Sequence, residues 1–158
     1  MPELALSFEG LEGGRLGGPE GFGRPALIVN TASECGCTPQ YAGLQRLWQR
    51  YGPRGLLVLG VPCNDFGAQE PGSPAQVAQF CNSRYAVSFP LAAKAEILGA
   101  GRHPFYQSVA TLLGEDQLPR WNFHKYLVGR DGALLGTWPS QVDPEDPELV
   151  AAIEAALA

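Results

Sequence analysis

Four cysteines, Cys35, Cys37, Cys63 and Cys81, are the residues best suited to chemistry in this 158-residue chain. A thiolate is a nucleophile, a metal ligand and a redox centre, and its surroundings set its reactivity. Cys35 follows the apolar run Ala26-Leu27-Ile28-Val29 and precedes Thr38-Pro39, which predicts a helix start with Thr as cap and Pro in the first turn. A helix start offers unpaired N–H groups and a partial positive charge, and both favour a thiolate. Ser33, Glu34 and Gly36 are poor neighbours for a core position, so Cys35 reads as a reactive thiol. Glu34 acts against it, because a nearby carboxylate disfavours the thiolate. Cys37 completes a Cys-x-Cys and not the Cys-x-x-Cys of dithiol redox motifs. A disulfide across one residue is strained and readily reduced, and the simpler reading of Cys37 is a small apolar filler. Cys63 reads as structural. Cys81 shares a stripe with Val77 and Phe80, which is the pattern of a core residue.

Neutral donors near a reactive thiol could hold a thiolate or a peroxide oxygen without carrying a proton away. Gln69 in a polar loop and Trp121-Asn122 before a strand have neutral N–H groups of that kind. Their other roles are turn solvation for Gln69, core packing for Trp121 and capping for Asn122. His103 and His124 form no His-x-x-x-His, and the cysteines form no Cys-x-x-Cys, so neither a metal nor a cofactor is expected. Phosphate-loop, dinucleotide and Gly-x-Ser-x-Gly signatures are absent.

The elements that must position these residues follow from periodicity. A Gly-rich opening reads as a small hairpin. Residues 26–29 and 56–61 are continuous apolar runs, as in buried strands. Tyr41, Leu44, Leu47, Trp48 and Tyr51 recur at helical spacing, and Gly52-Pro53 stops that helix. Ser73 and Gln76 predict a capping box for a helix bearing Val77, Phe80 and Cys81. Residues 87–91 predict a short strand and 103–113 a helix. Gly129-Arg130-Asp131-Gly132 predicts a hairpin between strands at 123–128 and 133–138, and 147–157 closes as a helix. The order is β-α-β-α-β-α-β-β-α after a hairpin. It predicts an α/β protein with a thioredoxin-like three-layer sandwich, a mixed central sheet and an N-terminal hairpin extension. Ligands in such sheets bind beyond the carboxyl ends of the strands, where Cys35 and the loop 62–72 fall.

The length predicts one domain over residues 1–158. Net charge is −5, so a nucleic-acid partner is not expected. Residues 24–130 are nevertheless mildly basic, with ten Lys/Arg against six Asp/Glu, while Asp143, Glu145, Asp146, Glu148 and Glu154 gather at the end. No apolar run approaches a membrane span, and Met1-Pro2-Glu3-Leu4 shows no secretory pattern. A cytoplasmic protein without a membrane partner is expected, in which structural disulfides are disfavoured.

Three segments carry a resemblance. Asn30-Thr31-Ala32-Ser33-Glu34-Cys35-Gly36-Cys37-Thr38-Pro39-Gln40-Tyr41 resembles the peroxidatic segment of the glutathione peroxidase family. Leu59-Gly60-Val61-Pro62-Cys63-Asn64-Asp65-Phe66-Gly67-Ala68-Gln69-Glu70-Pro71-Gly72-Ser73 resembles its second signature, and Trp121-Asn122-Phe123-His124-Lys125-Tyr126-Leu127-Val128 its third. They stand in the family's order and spacing, and the likeness runs from about Pro25 to the C-terminus. It implies Cys35 as the peroxidatic residue, with Gln69, Trp121 and Asn122 completing a catalytic tetrad. Phe80-Cys81-Asn82-Ser83-Arg84-Tyr85-Ala86-Val87-Ser88-Phe89-Pro90 resembles the segment bearing the resolving cysteine in cysteine-type members. That implies Cys81 as resolver and thioredoxin, or glutathione, as reductant. The short link 114–120 lacks the insertion of the tetrameric members, which implies a monomer or weak dimer. Cys37 departs from the family, where a bulky apolar residue is usual, and so places a second thiol beside the reactive one. Ala68 stands where glycine is common and is expected to be tolerated.

The resemblance implies a thiol peroxidase that reduces hydrogen peroxide and organic hydroperoxides. Two other readings share the fold: a peroxide sensor that relays oxidation to a partner protein, and a thiol-metal binding protein.

Overall fold

The computed structural model describes residues 4–19, 21–34 and 36–158. Strands β1 (Ser7–Glu9) and β2 (Arg15–Gly17) form the expected antiparallel hairpin. A separate sheet has the order β4-β3-β5-β6, from β3 (Ala26–Thr31), β4 (Leu57–Pro62), β5 (Lys125–Val128) and β6 (Leu134–Trp138). β3 pairs in parallel with β4 and antiparallel with β5, so the sheet is mixed. Helices α1 (Gln40–Tyr51), α2 (Pro74–Tyr85), α3 (Pro104–Leu113) and α4 (Pro147–Leu157) complete the layers.

The layers follow from the alternation of side chains along β3. Leu27 and Val29 face a core shared with Tyr41, Leu44 and Leu47 of α1, Val77 and Cys81 of α2, and Leu149 and Ile153 of α4. Ala26 and Ile28 face the other core, built with Phe105 and Val109 of α3 and with Leu6 and Phe8 of the hairpin. The central strands are buried on both faces, which is why they read as unbroken apolar runs.

Two expectations are corrected. Residues 87–91 form no strand: a single parallel bridge joins Leu91 to Gly60, and Pro90, which has no N–H, sits inside the run. Thr38 does not cap α1, which begins one residue later than expected, and its hydroxyl donates instead to the Ala32 carbonyl at 2.9 Å. The cap position falls to Pro39, with no side-chain cap bond. The capping box on α2 forms as expected: Ser73 accepts from the Gln76 N–H, and the Gln76 side chain accepts from the Ser73 N–H.

Burial gives this fold a pH dependence. His124 precedes β5 and holds Nε2 2.6 Å from the Thr137 hydroxyl. Burial, with Lys125 beside it, pushes its pKa down to about 4. The unfolded chain takes up this proton near pH 6.5 and the folded chain only near 4. Stability should therefore fall as pH drops through that window, by up to roughly 3 kcal/mol. Urea melts between pH 7 and 4 should show the decline, and His124→Gln should flatten it.

Candidate active site

The site is built where the β3 and β4 ends meet the turn before β5. Asn30, near the end of β3, is fully buried. Its Nδ2 donates to the Trp121 carbonyl (3.1 Å), and its Oδ1 accepts from the His124 N–H (3.0 Å). Its carbonyl accepts from the Phe123 N–H at 2.6 Å. One asparagine thus fixes the turn 121–124 against the strand, including Phe123 at φ +66°, where a side chain costs roughly 1–2 kcal/mol. A buried amide at the end of an apolar strand was the available signal, but nothing in the sequence states what it holds.

The Trp-Asn turn and the Gln69 loop meet. Asn122, 0% exposed, donates through Nδ2 to the Gln69 Oε1 (3.1 Å) and the Phe66 carbonyl (3.3 Å). Gln69 therefore has its amide oxygen engaged, which leaves Nε2 as the group it can offer a ligand. The Gln69 carbonyl accepts from the Glu34 N–H at 2.9 Å, tying this loop to the segment next to Cys35. Trp121 is 37% exposed and meets Phe66 edge-on, with centroids 6.2 Å apart. Gly67 has φ +71°, and a Cβ there would lie 2.8 Å from the indole. Ala68 is also left-handed, at φ +51°, so the residue in the usual glycine place carries backbone strain.

Other bonds keep the Gln69 loop closed. Asn64 Oδ1 accepts from the Glu70 N–H (2.8 Å), and Lys94 Nζ donates to the carbonyls of Glu70 (2.7 Å) and Gly72 (2.6 Å). Glu70 is buried, and burial raises its carboxyl pKa against the opposing effects of Ser33 and Lys94.

Cys35 lies outside the described residues. Cys63 is buried behind the site, and burial pushes its thiol up to about 12. Cys81 is 1% exposed, beside the Tyr41 hydroxyl, and burial pushes its thiol up to about 11. The structure thus brings Gln69, Trp121 and Asn122 together and places Cys81 in the core beneath α2. Sequence reasoning missed Asn30, Glu70 and Lys125.

Two clefts flank this constellation. One, of about 560 Å³, lies between Ser33-Glu34, Glu70 and the Val77–Phe80–Arg84 side of α2. The other, of about 460 Å³, is lined by Phe66, Leu98, Leu118, Pro119, Arg120 and Trp121.

A thioredoxin-like sandwich with a cysteine loop and neutral donors at its strand ends defines a thiol-based oxidoreductase. The family model for glutathione peroxidase matches residues 19–110. The hydroperoxy fatty acid reductase Gpx2 of Synechocystis is 45% identical over 157 residues, covering 99% of each chain. The glutathione peroxidase-like peroxiredoxin gpx1 of Schizosaccharomyces pombe is 47% identical, covering 80% of this chain and 81% of its own. The thioredoxin/glutathione peroxidase BtuE of Escherichia coli is 39% identical, with 86% of each covered. The crystal structure of Trgpx in apo form superposes with a TM-score of 0.71 at 30% identity, over 98% of this chain and 94% of that one. The chain belongs to the glutathione peroxidase family and is a thiol peroxidase that reduces hydroperoxides.

Proposed function

We propose that Cys35 is the peroxidatic thiol and Cys81 its resolver, with a thioredoxin-type dithiol as the recycling reductant. The Cys35 thiolate attacks the terminal oxygen of a hydroperoxide. The S–O bond forms, the O–O bond breaks, and the leaving oxygen departs as water or an alcohol after taking a proton. Gln69 and Trp121 supply neutral donors to the oxygens. Asn122 acts through Gln69, because its amide is already spent on Gln69 and Phe66. Cys81 then condenses with the sulfenic acid, releasing water, and the dithiol opens the resulting disulfide.

The observation that carries this reading is the junction at Gln69. Its side chain is held by Asn122 and its carbonyl by the N–H of Glu34, the residue that precedes Cys35 in the sequence. Two things favour organic hydroperoxides among the substrates. The cleft against Trp121 is lined by Phe66, Leu98 and Leu118 together with Asp65, Arg102, Glu115 and Arg120, an amphipathic wall suited to a chain with a polar end, and one relative is named a hydroperoxy fatty acid reductase.

The test is peroxide-dependent NADPH oxidation coupled to thioredoxin and its reductase, with glutathione and its reductase in parallel. Sustained turnover at least about tenfold faster in the thioredoxin arm is expected, since a dithiol resolves its own mixed disulfide. Equal rates in both arms would remove thioredoxin as the preferred reductant. No turnover in either arm would remove the recycling scheme.

A further inference from the structure

We propose that Cys37 is a second resolving thiol, which closes a Cys35–Cys37 disulfide while α2 is still folded. The inference rests on Cys35 as the peroxidatic residue and goes beyond it.

Reach is the first argument. Two trans peptide units span at most about 7 Å, so residues i and i+2 always lie close to the Cα separation a disulfide accepts. The intervening residue is Gly36, and nothing lies within 4 Å of a Cβ built on it. Glycine supplies the backbone freedom that a small ring needs, and no packed neighbour opposes the change.

Setting is the second. Cys37 is half-buried and packs on the α1 face of the core, where its carbonyl accepts from the Gln40 N–H at 2.8 Å. Lys125, 0% exposed on β5, reaches the same start of α1. Lys125 Nζ donates to Gln40 Oε1 (2.6 Å) and to the carbonyls of Ser140 (3.2 Å) and Val142, all neutral acceptors. A negative charge on Cys37 stabilises the Lys125 ammonium against the effect of burial, as does the carboxylate of Asp143. Gln40 joins the two residues, its N–H on the Cys37 carbonyl and its Oε1 on the Lys125 ammonium. Attack on a sulfenic acid is made by a thiolate, and Lys125 is a buried cation placed to accompany one.

Competition is the third. Cys81 sits 1% exposed in a capped helix, against Tyr41. Its attack waits for α2 to open, whereas that of Cys37 does not. The step balances without another reagent. The Cys37 thiolate attacks the Cys35 sulfur, the S–S bond forms, the S–OH bond breaks, and hydroxide leaves as water after taking a proton. The disulfide shields Cys35 from further oxidation until Cys81 or the dithiol opens it by exchange.

The experiment uses Cys81→Ser, treated with one equivalent of hydrogen peroxide, then dimedone, then N-ethylmaleimide under denaturing conditions. Mass spectrometry should find a loss of about 2 Da, the signature of a disulfide, with Cys63 alkylated and no dimedone adduct. Adding Cys37→Ser should convert the product to a dimedone adduct on Cys35. A dimedone adduct on Cys35 with Cys37 alkylated, in Cys81→Ser alone, would overturn the proposal. Failure of the underlying reading looks different: Cys35 would stay reduced in every variant and in the wild type, and the proposal would fall with it.

Discussion

Cys35→Ser should lower the second-order rate of peroxide reduction by at least about a thousandfold, because a hydroxyl at neutral pH is no substitute for a thiolate. The other buried thiols cannot compensate. With its thiol pushed up to about 12, Cys63 is ionised at pH 7 in roughly one molecule in 10⁵. Cys81, pushed up to about 11, is ionised in roughly one in 10⁴. Both are also shut away from solvent, so a peroxide cannot reach them in the folded state. Stopped-flow measurement of peroxide consumption by the reduced protein isolates this step from recycling. A rate within tenfold of wild type would move the peroxidatic role to Cys37, the half-buried thiol that remains.

The sequence and the structure agree where one residue type answers to one local rule. β3 and β4 were legible because both faces of each strand are buried, so apolar residues run unbroken through 26–29 and 57–59. The α2 boundary was legible because Ser73 and Gln76 satisfy each other's backbone within three residues. Legibility failed where a residue answers to a distant partner. Thr38 has the chemistry of a cap, yet α1 starts past Pro39 and the Thr38 hydroxyl donates to Ala32 across the loop. Residues 87–91 have strand composition, but the edge they meet beside β4 offers one bridge at Leu91. Asn30 and Lys125 interrupt apolar strands, and no local pattern says that one holds the Trp-Asn turn and the other lies beneath the α1 start. Gln69, Trp121 and Asn122 were singled out as donors. The structure adds that Asn122 spends its amide on Gln69, a division of labour that spacing cannot express.

Cys81 answers to both readings, and the conflict between them predicts a large change on oxidation. The helical stripe places it in the core, and there it lies, beneath α2 and beside Tyr41. A disulfide to another element requires Cα atoms within about 7 Å and aligned side chains, so a resolving Cys81 has to leave that position. α2 is built to let it go. Only Val77 and Cys81 of its residues are fully buried, an apolar contribution of roughly 2–4 kcal/mol, and the half-buried rings of Phe80 and Tyr85 against Tyr41 are the other contacts to be released. Its C-terminal cap is Ala86 in the left-handed region at φ +50°, without a glycine's freedom. Local opening at a cost of a few kcal/mol is ordinary for such a segment, and the covalent bond then holds it open. Arg84, exposed on α2, is a trypsin site protected by the helix. Protein oxidised with one equivalent of peroxide should be cut after Arg84 at least about a hundredfold faster than the reduced form, the ratio expected when an opening cost near 3 kcal/mol is removed. Cys81→Ser, treated in the same way, should keep the slow rate. Equal cleavage of the oxidised and reduced wild type would mean that α2 stays folded through oxidation, with the disulfide held at Cys35–Cys37 and no exchange onto Cys81.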